Sequence, residues 1–314
     1  YYMSKEINNK ETSLKVQDLV PRKILNKMMK RSNSSAALFL CIHLTYLAVT
    51  GYGLYLAMDT SWWLLLSILY GLGIVHLFSP QHEFSHRTAF KIRWINDLFG
   101  WTFGMIIALP PVFFRWEHTD HHSYTQDIQK DPELIPTPSS LLTYLWYITS
   151  IPYWIGFFKS FIPHLLAIIP EKEAVFIPNT ERWKVIWEAR FMLILYSTVA
   201  YFSFYYNSTI AVEYWLLPRL IAEPLMRMVR YTEHAGCPLN NNILENTRTT
   251  LISTPYRWLA WNMPYHAEHH MAPSIPFHAL PELHEHVKDK LLGTANGFIG
   301  AHLDIIRAIP GNKI

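Results

Sequence analysis

Eight of the chain's 16 histidines fall in three short clusters. They are His82-Glu83-Phe84-Ser85-His86, His118-Thr119-Asp120-His121-His122 and His266-Ala267-Glu268-His269-His270. The first has i, i+4 spacing and the other two i, i+3, i+4, so on a helix the imidazoles of each cluster share one face. Imidazole is a ligand for iron, copper and zinc. Three such faces turned toward one point would supply nitrogen for two metal ions. A lone pair at this spacing would arise by chance in a histidine-rich chain, whereas a repeated His-x-x-His-His would not. A closed structural zinc site takes four ligands, often cysteines, and this chain has only Cys41 and Cys237 beside its surplus of imidazole.

The elements that must position these clusters are apolar. Charged residues make up only 16% of the chain, and hydrophobic residues 50%, against about 25% charged in soluble domains. Residues 36–58 and 61–79 are nearly uncharged, and each is long enough for a ~30 Å hydrocarbon core. They flank the turn Asp59-Thr60-Ser61 and read as a helical hairpin. Residues 190–206 and 209–229, around Asn207-Ser208, read as a second. Lys5, Lys10, Lys15, Arg22, Lys23, Lys27, Lys30 and Arg31 precede the first span, and neither turn holds Lys or Arg. The positive-inside rule then puts the N-terminal stretch and all three clusters on the cytoplasmic side. Residues 140–169 are apolar but broken by Pro152, Gly156, Lys159 and Pro163, and 98–114 ends at Pro110-Pro111, so both read as interfacial or re-entrant. The basic stretch carries no signal-peptide pattern, which predicts a retained first helix. It suits anionic headgroups, and a net charge of +3 gives no reason to invoke nucleic acid. The expected fold is an all-α membrane protein of one domain over 1–314. It has four transmembrane helices in two hairpins and a cytoplasmic helical cap, 80–189 and 230–314, that holds the metal site.

The boxes His82-x-x-x-His86, His118-x-x-His121-His122 and His266-x-x-His269-His270, set after paired hairpins, resemble those of the membrane fatty acid desaturase superfamily. The likeness extends to Arg115-Trp116-x-His118, Asp131-Pro132-Glu133, Asn262-Met263-Pro264-Tyr265 before the third box, and Pro273-Ser274-Ile275-Pro276 and Leu280-Pro281 after it. It implies a non-haem di-iron centre, and a ninth ligand at His234 between the last span and the third box. The implied ligand set is His82, His86, His118, His121, His122, His234, His266, His269 and His270. In some members an asparagine one turn before the lone histidine approaches the metal through water; here that position is Arg230. His43 is expected in the core. His278, His284 and His286 are expected on an exposed helix. Glu83, Asp120, Glu233 and Glu268 lie beside the ligands and are candidates to orient imidazole N–H groups.

Nitrogen-ligated iron activates O2 for attack on an unactivated C–H bond. The expected reaction is O2-dependent desaturation of a fatty acyl or lipid chain. The alternative is hydroxylation of a hydrocarbon, terpenoid or small metabolite on the same scaffold. Transport of metal ranks last, because only Arg219 and Glu223 offer polar groups within a span. O2 activation needs two electrons. The chain has no haem-binding His-Pro-Gly-Gly, cysteine cluster or Gly-x-Gly-x-x-Gly, so the expected donor is cytochrome b5, or a ferredoxin with its reductase. Arg87, Lys91, Arg93, Lys184 and Arg190 are candidate docking charges, or ordinary cytoplasmic-side cations.

Overall fold

A computed structural model describes residues 15–311; Lys5 and Lys10 of the basic stretch lie outside the described residues. In chain order the helices are α1 (Val16–Leu19), α2 (Arg22–Met28), α3 (Asn33–Ala57), α4 (Trp63–Val75), α5 (Phe78–His86), α6 (Arg93–Ile107), α7 (Pro111–Tyr124), α8 (Leu141–Ile148), α9 (Ile151–Leu165), α10 (Glu171–Ala174) and α11 (Arg182–Tyr205). A π-helical stretch, Val212–Leu216, then opens α12 (Leu217–His234), and α13 (Ile243–Asn246), α14 (Thr254–Leu259), α15 (His266–Met271), α16 (Leu280–Val287) and α17 (Gly297–Arg307) follow. The architecture is mostly helical rather than all-α. Strands β1 (Thr249–Leu251) and β2 (Thr294–Asn296) pair in parallel, Thr249 opposite Thr294, and tie the segment after His234 to the C-terminal helix.

Among the described residues, three helices are long and apolar enough to cross a membrane: Asn33–Ala57, Trp63–His86 and Arg182–Tyr205. Only 22% of the apolar window is buried in the first and third, against 50% in the second. The outer pair therefore presents its apolar surface outward, and the Trp63–His86 helix is central. In the first expected pair, α3 packs on α4. The second pair differs from expectation. Helix α11 lies chiefly against α9, and α12 against α4. Among the described residues, 209–229 do not form a helix long and apolar enough to cross a membrane, because α12 carries Arg219, Glu223, Arg227 and Arg230. A Cβ on Gly71 would fall 2.1 Å from the Pro218 carbonyl oxygen, so glycine is what lets α4 and α12 touch backbone to backbone. A fourth candidate is the pair α6 and α7, bent by 99°. Gly104 permits that bend: a Cβ there would meet the Leu109 carbonyl oxygen at 2.5 Å. Residues 140–169 break at Ser150, whose φ is 64°, into α8 and α9, neither of spanning length. Both leave large apolar residues exposed, among them Leu142, Trp146, Phe158 and Ile162.

The largest core cluster fastens the metal-box helices. Phe84, between His82 and His86, is fully buried and packs edge-on to Trp261 at 5.5 Å, and Trp261 meets Phe277 at 4.6 Å. Phe39 of α3 closes on Phe277 at 4.9 Å. The face of α5 opposite its histidines is thus anchored to the segments flanking the third box.

Candidate metal centre

The three boxes come from α5, α7 and α15, and the lone His234 is the last residue of α12. Their imidazoles converge in two groups. The first is His82, His86, His118, His122 and His269, and the second is His121, His234, His266 and His270; within each group the nearest ring nitrogens all lie within 4.8 Å of one another. Every histidine of the expected ligand set is in one group or the other. The spacing explains the sorting. In α7, His118 and His122 are one turn apart and face the first group, while His121 is rotated about 100° from His122 and faces the second. In α15, His269 turns to the first group, and His266 and His270 to the second.

The facing atoms are Nε2. His118 Nε2 lies 2.6 Å from His82 Nε2 and 2.9 Å from His122 Nε2, and His122 Nε2 lies 3.1 Å from His269 Nε2. In the second group His266 Nε2 lies 3.1 Å from both His234 Nε2 and His270 Nε2. A metal–nitrogen bond of about 2.1 Å puts two ligands at right angles roughly 3.0 Å apart, so these separations fit two ions. His86 Nε2 and His121 Nε2 are buried with no protein partner, as atoms reserved for a metal would be. Burial drives the His234, His266, His269 and His270 pKa values well below the usual 6.5, which keeps these rings in the neutral, ligating form.

The opposite edges of the rings are held by the protein. His118 Nδ1–H donates to Glu133 Oε1 at 2.7 Å, and His121 Nδ1–H to Asp131 Oδ1 at 2.7 Å. A donating Nδ1 leaves Nε2 with a free lone pair toward the metal position. Both carboxylates sit on the loop after α7, which folds back because Gln126 takes a left-handed φ of 63° and donates its N–H to Asp131 Oδ2 at 2.8 Å. Thr125 Oγ1 meets His270 Nδ1 at 3.0 Å. Arg230 is buried between carboxylates, bonding Glu133 Oε2 at 2.9 Å and also Glu233, whose Oε2 lies 3.5 Å from His266 Nε2.

Of the four acidic residues marked in the sequence, only Glu233 approaches a ligand imidazole. Glu268 bonds an imidazole, but that of His284, at 2.5 Å, and its other oxygen accepts from Thr249 Oγ1; it braces α15 against α16 and β1. Glu83 accepts from Thr88 Oγ1 and the Phe277 N–H, joining the first box to the tail of the third. Asp120 faces partly to solvent on α7. His284 is therefore buried rather than exposed as expected, whereas His286 is exposed and His43 sits in the core on the Gly73 carbonyl oxygen. In the sequence the orienting pair Asp131 and Glu133 stands out only as part of the Asp131-Pro132-Glu133 motif.

Beside the first group lies a cavity of about 530 Å³ that includes Phe78, Phe114 and Glu133, near His82 and His118, and Phe157 and Phe161 of α9. One wall is charged. Arg219 and Arg227 both pair with Glu223, and Arg227 stacks over Tyr153 at 4.1 Å.

Residues 60–298 match the sequence profile of the family described as fatty acid desaturase. A sphingolipid delta(4)-desaturase of Drosophila melanogaster is 26% identical over 253 residues, 75% of this chain and 70% of that protein. An sn-1 acyl-lipid omega-3 desaturase (ferredoxin) of Nostoc sp. (strain 36) is 22% identical over 165 residues, 50% of this chain and 46% of that one. An sn-1 oleoyl-lipid 12-desaturase of Anabaena variabilis is 25% identical over 175 residues, 48% of each. The chain spans about half the length of the Nostoc and Anabaena relatives.

Proposed function

Because the chain belongs to the fatty acid desaturase family, we propose that it is a membrane oxidoreductase that uses O2 to remove two hydrogens from a fatty acyl or lipid chain, with two non-haem iron ions on its nine histidines. The observation that carries this is the sorting of those imidazoles into five and four, with Nε2 atoms facing inward at ligand-to-ligand separations. Iron held there would supply the oxidising power for C–H cleavage. The metal site faces the cytoplasm on this reading, following the N-terminal cations.

The chain's own residues do the positioning. Glu133 and Asp131 fix the Nδ1-protonated tautomer of His118 and His121. Glu133 also accepts from Arg230, so one carboxylate neutralises a buried guanidinium and orients a ligand at once. Phe78 and Phe114 stand between the cavity and the first group, 5.8 Å from the His82 ring and 5.0 Å from the His118 ring, and keep water from the reacting carbon. The substrate's chain lies along Phe157 and Phe161, between α9 and the metal groups. The Arg219–Glu223–Arg227 row favours a substrate with a polar group inside the cavity rather than an unbroken hydrocarbon. The donor is an acidic one-electron carrier, a ferredoxin with its reductase, or cytochrome b5.

The test supplies iron-loaded protein with carrier, reductase, O2 and deuterated acyl lipids. A product lighter by two hydrogens supports the reading. A product heavier by one oxygen replaces desaturation with hydroxylation on the same metals, and stoichiometric zinc without iron in iron-replete cells sinks both.

A further inference from the structure

Each turnover of a desaturase consumes two electrons, and the two histidine groups are not equally reachable. All four histidines of the second group are buried; in the first, His86 and His122 are partly exposed. His86 forms part of the wall of a broad, open depression whose rim carries Lys27, Lys30, Arg31 and Lys91. These come from α2, the segment leading into α3, and the α5–α6 turn, so three separate elements bring cations to one place. Among the described residues the only carboxylate in the lining is Glu282, 3.5 Å from Lys27 in a solvent-exposed pair, which neutralises little. Lys30, Arg31 and Lys91 have no carboxylate within ion-pair distance among the described residues.

Three of the five cations suspected from sequence are engaged elsewhere. Arg87 is bound to Asp97 at 2.8 Å and Lys184 to Glu181 at 2.7 Å, and Arg190 stacks on Trp187 and bonds the Leu165 carbonyl oxygen. Of that set only Lys91 borders the depression. Three cations without ion pairs among the described residues, Lys30, Arg31 and Lys91, thus gather beside a ligand histidine whose ring is partly exposed.

We propose that this depression is the docking surface for an acidic one-electron carrier protein, and that His86 is the ligand through which its electrons reach the metal groups. The inference rests on the desaturase reading. Two reduced carriers dock in turn and each leaves oxidised by one electron. The acyl chain gives up two hydrogens and gains a double bond. O2 takes those hydrogens, the two carrier electrons and two protons from water, and leaves as two water molecules. Anionic lipid headgroups would also be drawn to the rim, but a wide concavity walled by a metal ligand suits a protein that must bring its cofactor close.

The test uses the full chain, iron-loaded, in neutral phosphatidylcholine nanodiscs. Reduction of its oxidised metal centre is followed without oxygen, by a reduced [2Fe–2S] ferredoxin and separately by dithionite. A triple variant carries Lys30→Glu, Arg31→Glu and Lys91→Glu, and a milder one Gln at the same positions. The expected result is a ferredoxin rate for the charge-reversed variant lower by about tenfold or more at low salt, with a flattened ionic-strength dependence, as for steered association. The Gln variant is expected to fall between, and iron content and dithionite rates to stay unchanged in both. Ferredoxin rates and salt slopes equal to wild type would overturn the proposal, and so would unchanged rates accompanied by weaker binding of the variants to phosphatidylserine vesicles. Wild type reduced by dithionite but not by ferredoxin would overturn docking and leave the desaturase reading standing. Wild type with no reducible metal would overturn that reading itself.

Discussion

Asp131→Asn isolates one half of the metal site. The Asp131 carboxylate is buried and has three partners: Oδ1 accepts from His121 Nδ1 at 2.7 Å and from the Glu133 N–H at 2.9 Å, and Oδ2 accepts from the Gln126 N–H at 2.8 Å. An asparagine fits the same space and cannot satisfy all three. With its oxygen on His121, its amide nitrogen confronts the Gln126 N–H, donor against donor. With the amide reversed, His121 must accept at Nδ1 and carry its proton on Nε2, where no metal can bind. Each arrangement loses one charge-assisted hydrogen bond or leaves one buried donor unpaired, about 1.5–3 kcal/mol. At about 1.4 kcal/mol per decade that is roughly 10–100-fold in metal affinity, the range seen when outer partners of metal-bound histidines are removed. Only the second group contains His121, so only one of two ions should weaken. The assay is iron per chain under graded chelator competition, with Glu133→Gln as the mirror case through His118. Retention of both ions by Asp131→Asn at wild-type chelator concentrations would refute the argument.

Phe84→Ala should destabilise the fold by about 3–5 kcal/mol, since the ring is fully buried against Trp261, Phe90, Phe99 and Phe103; denaturant or thermal unfolding in detergent measures it, and a loss below 1 kcal/mol would contradict the packing. Cysteines at Ser61 and Asn207 should label from outside the cell, and at Lys130 and Ser274 only from inside; opposite-side labelling of the last two is incompatible with one shared site. Metal-free protein should lose stability as pH falls below about 6.5. Buried His234, His266, His269 and His270 have depressed folded-state pKa values, so the unfolded chain binds more protons and gains about 1.4 kcal/mol per imidazole per pH unit. An unfolding midpoint independent of pH between 5 and 7 would show that these rings are solvated.

The histidine clusters were legible because helical spacing alone determines which rings share a face. Their division into five and four also follows from rotation along α7 and α15, but only once the partner helices are in place. The Asp131 and Glu133 contacts were not legible. They depend on Gln126 adopting a left-handed turn, a conformation the residue type does not favour. His284 could have been found: Leu280, Leu283, His284 and Val287 lie on one face of α16 at i, i+3, i+4, i+7, and all four are buried. Residues 209–229 read as a span because apolar residues surround Arg219 and Glu223. In the fold those charges face inward on α12, against the cavity, where they pair with each other.

The unequal burial of the two groups bears on the order in which metal ions would fill them. An ion bound for His121, His234, His266 and His270 has no exposed histidine to capture it, whereas His86 and His122 offer partly open rings. The His122 and His270 rings lie 4.2 Å apart, centroid to centroid, across the boundary between the groups. If the two groups hold iron as proposed, metal would enter by the less buried group, and the second ion would close the way behind the first. On that reading a chelator would meet a fast-exchanging ion and a slow one, and a half-loaded preparation would be a single species with the inner position occupied.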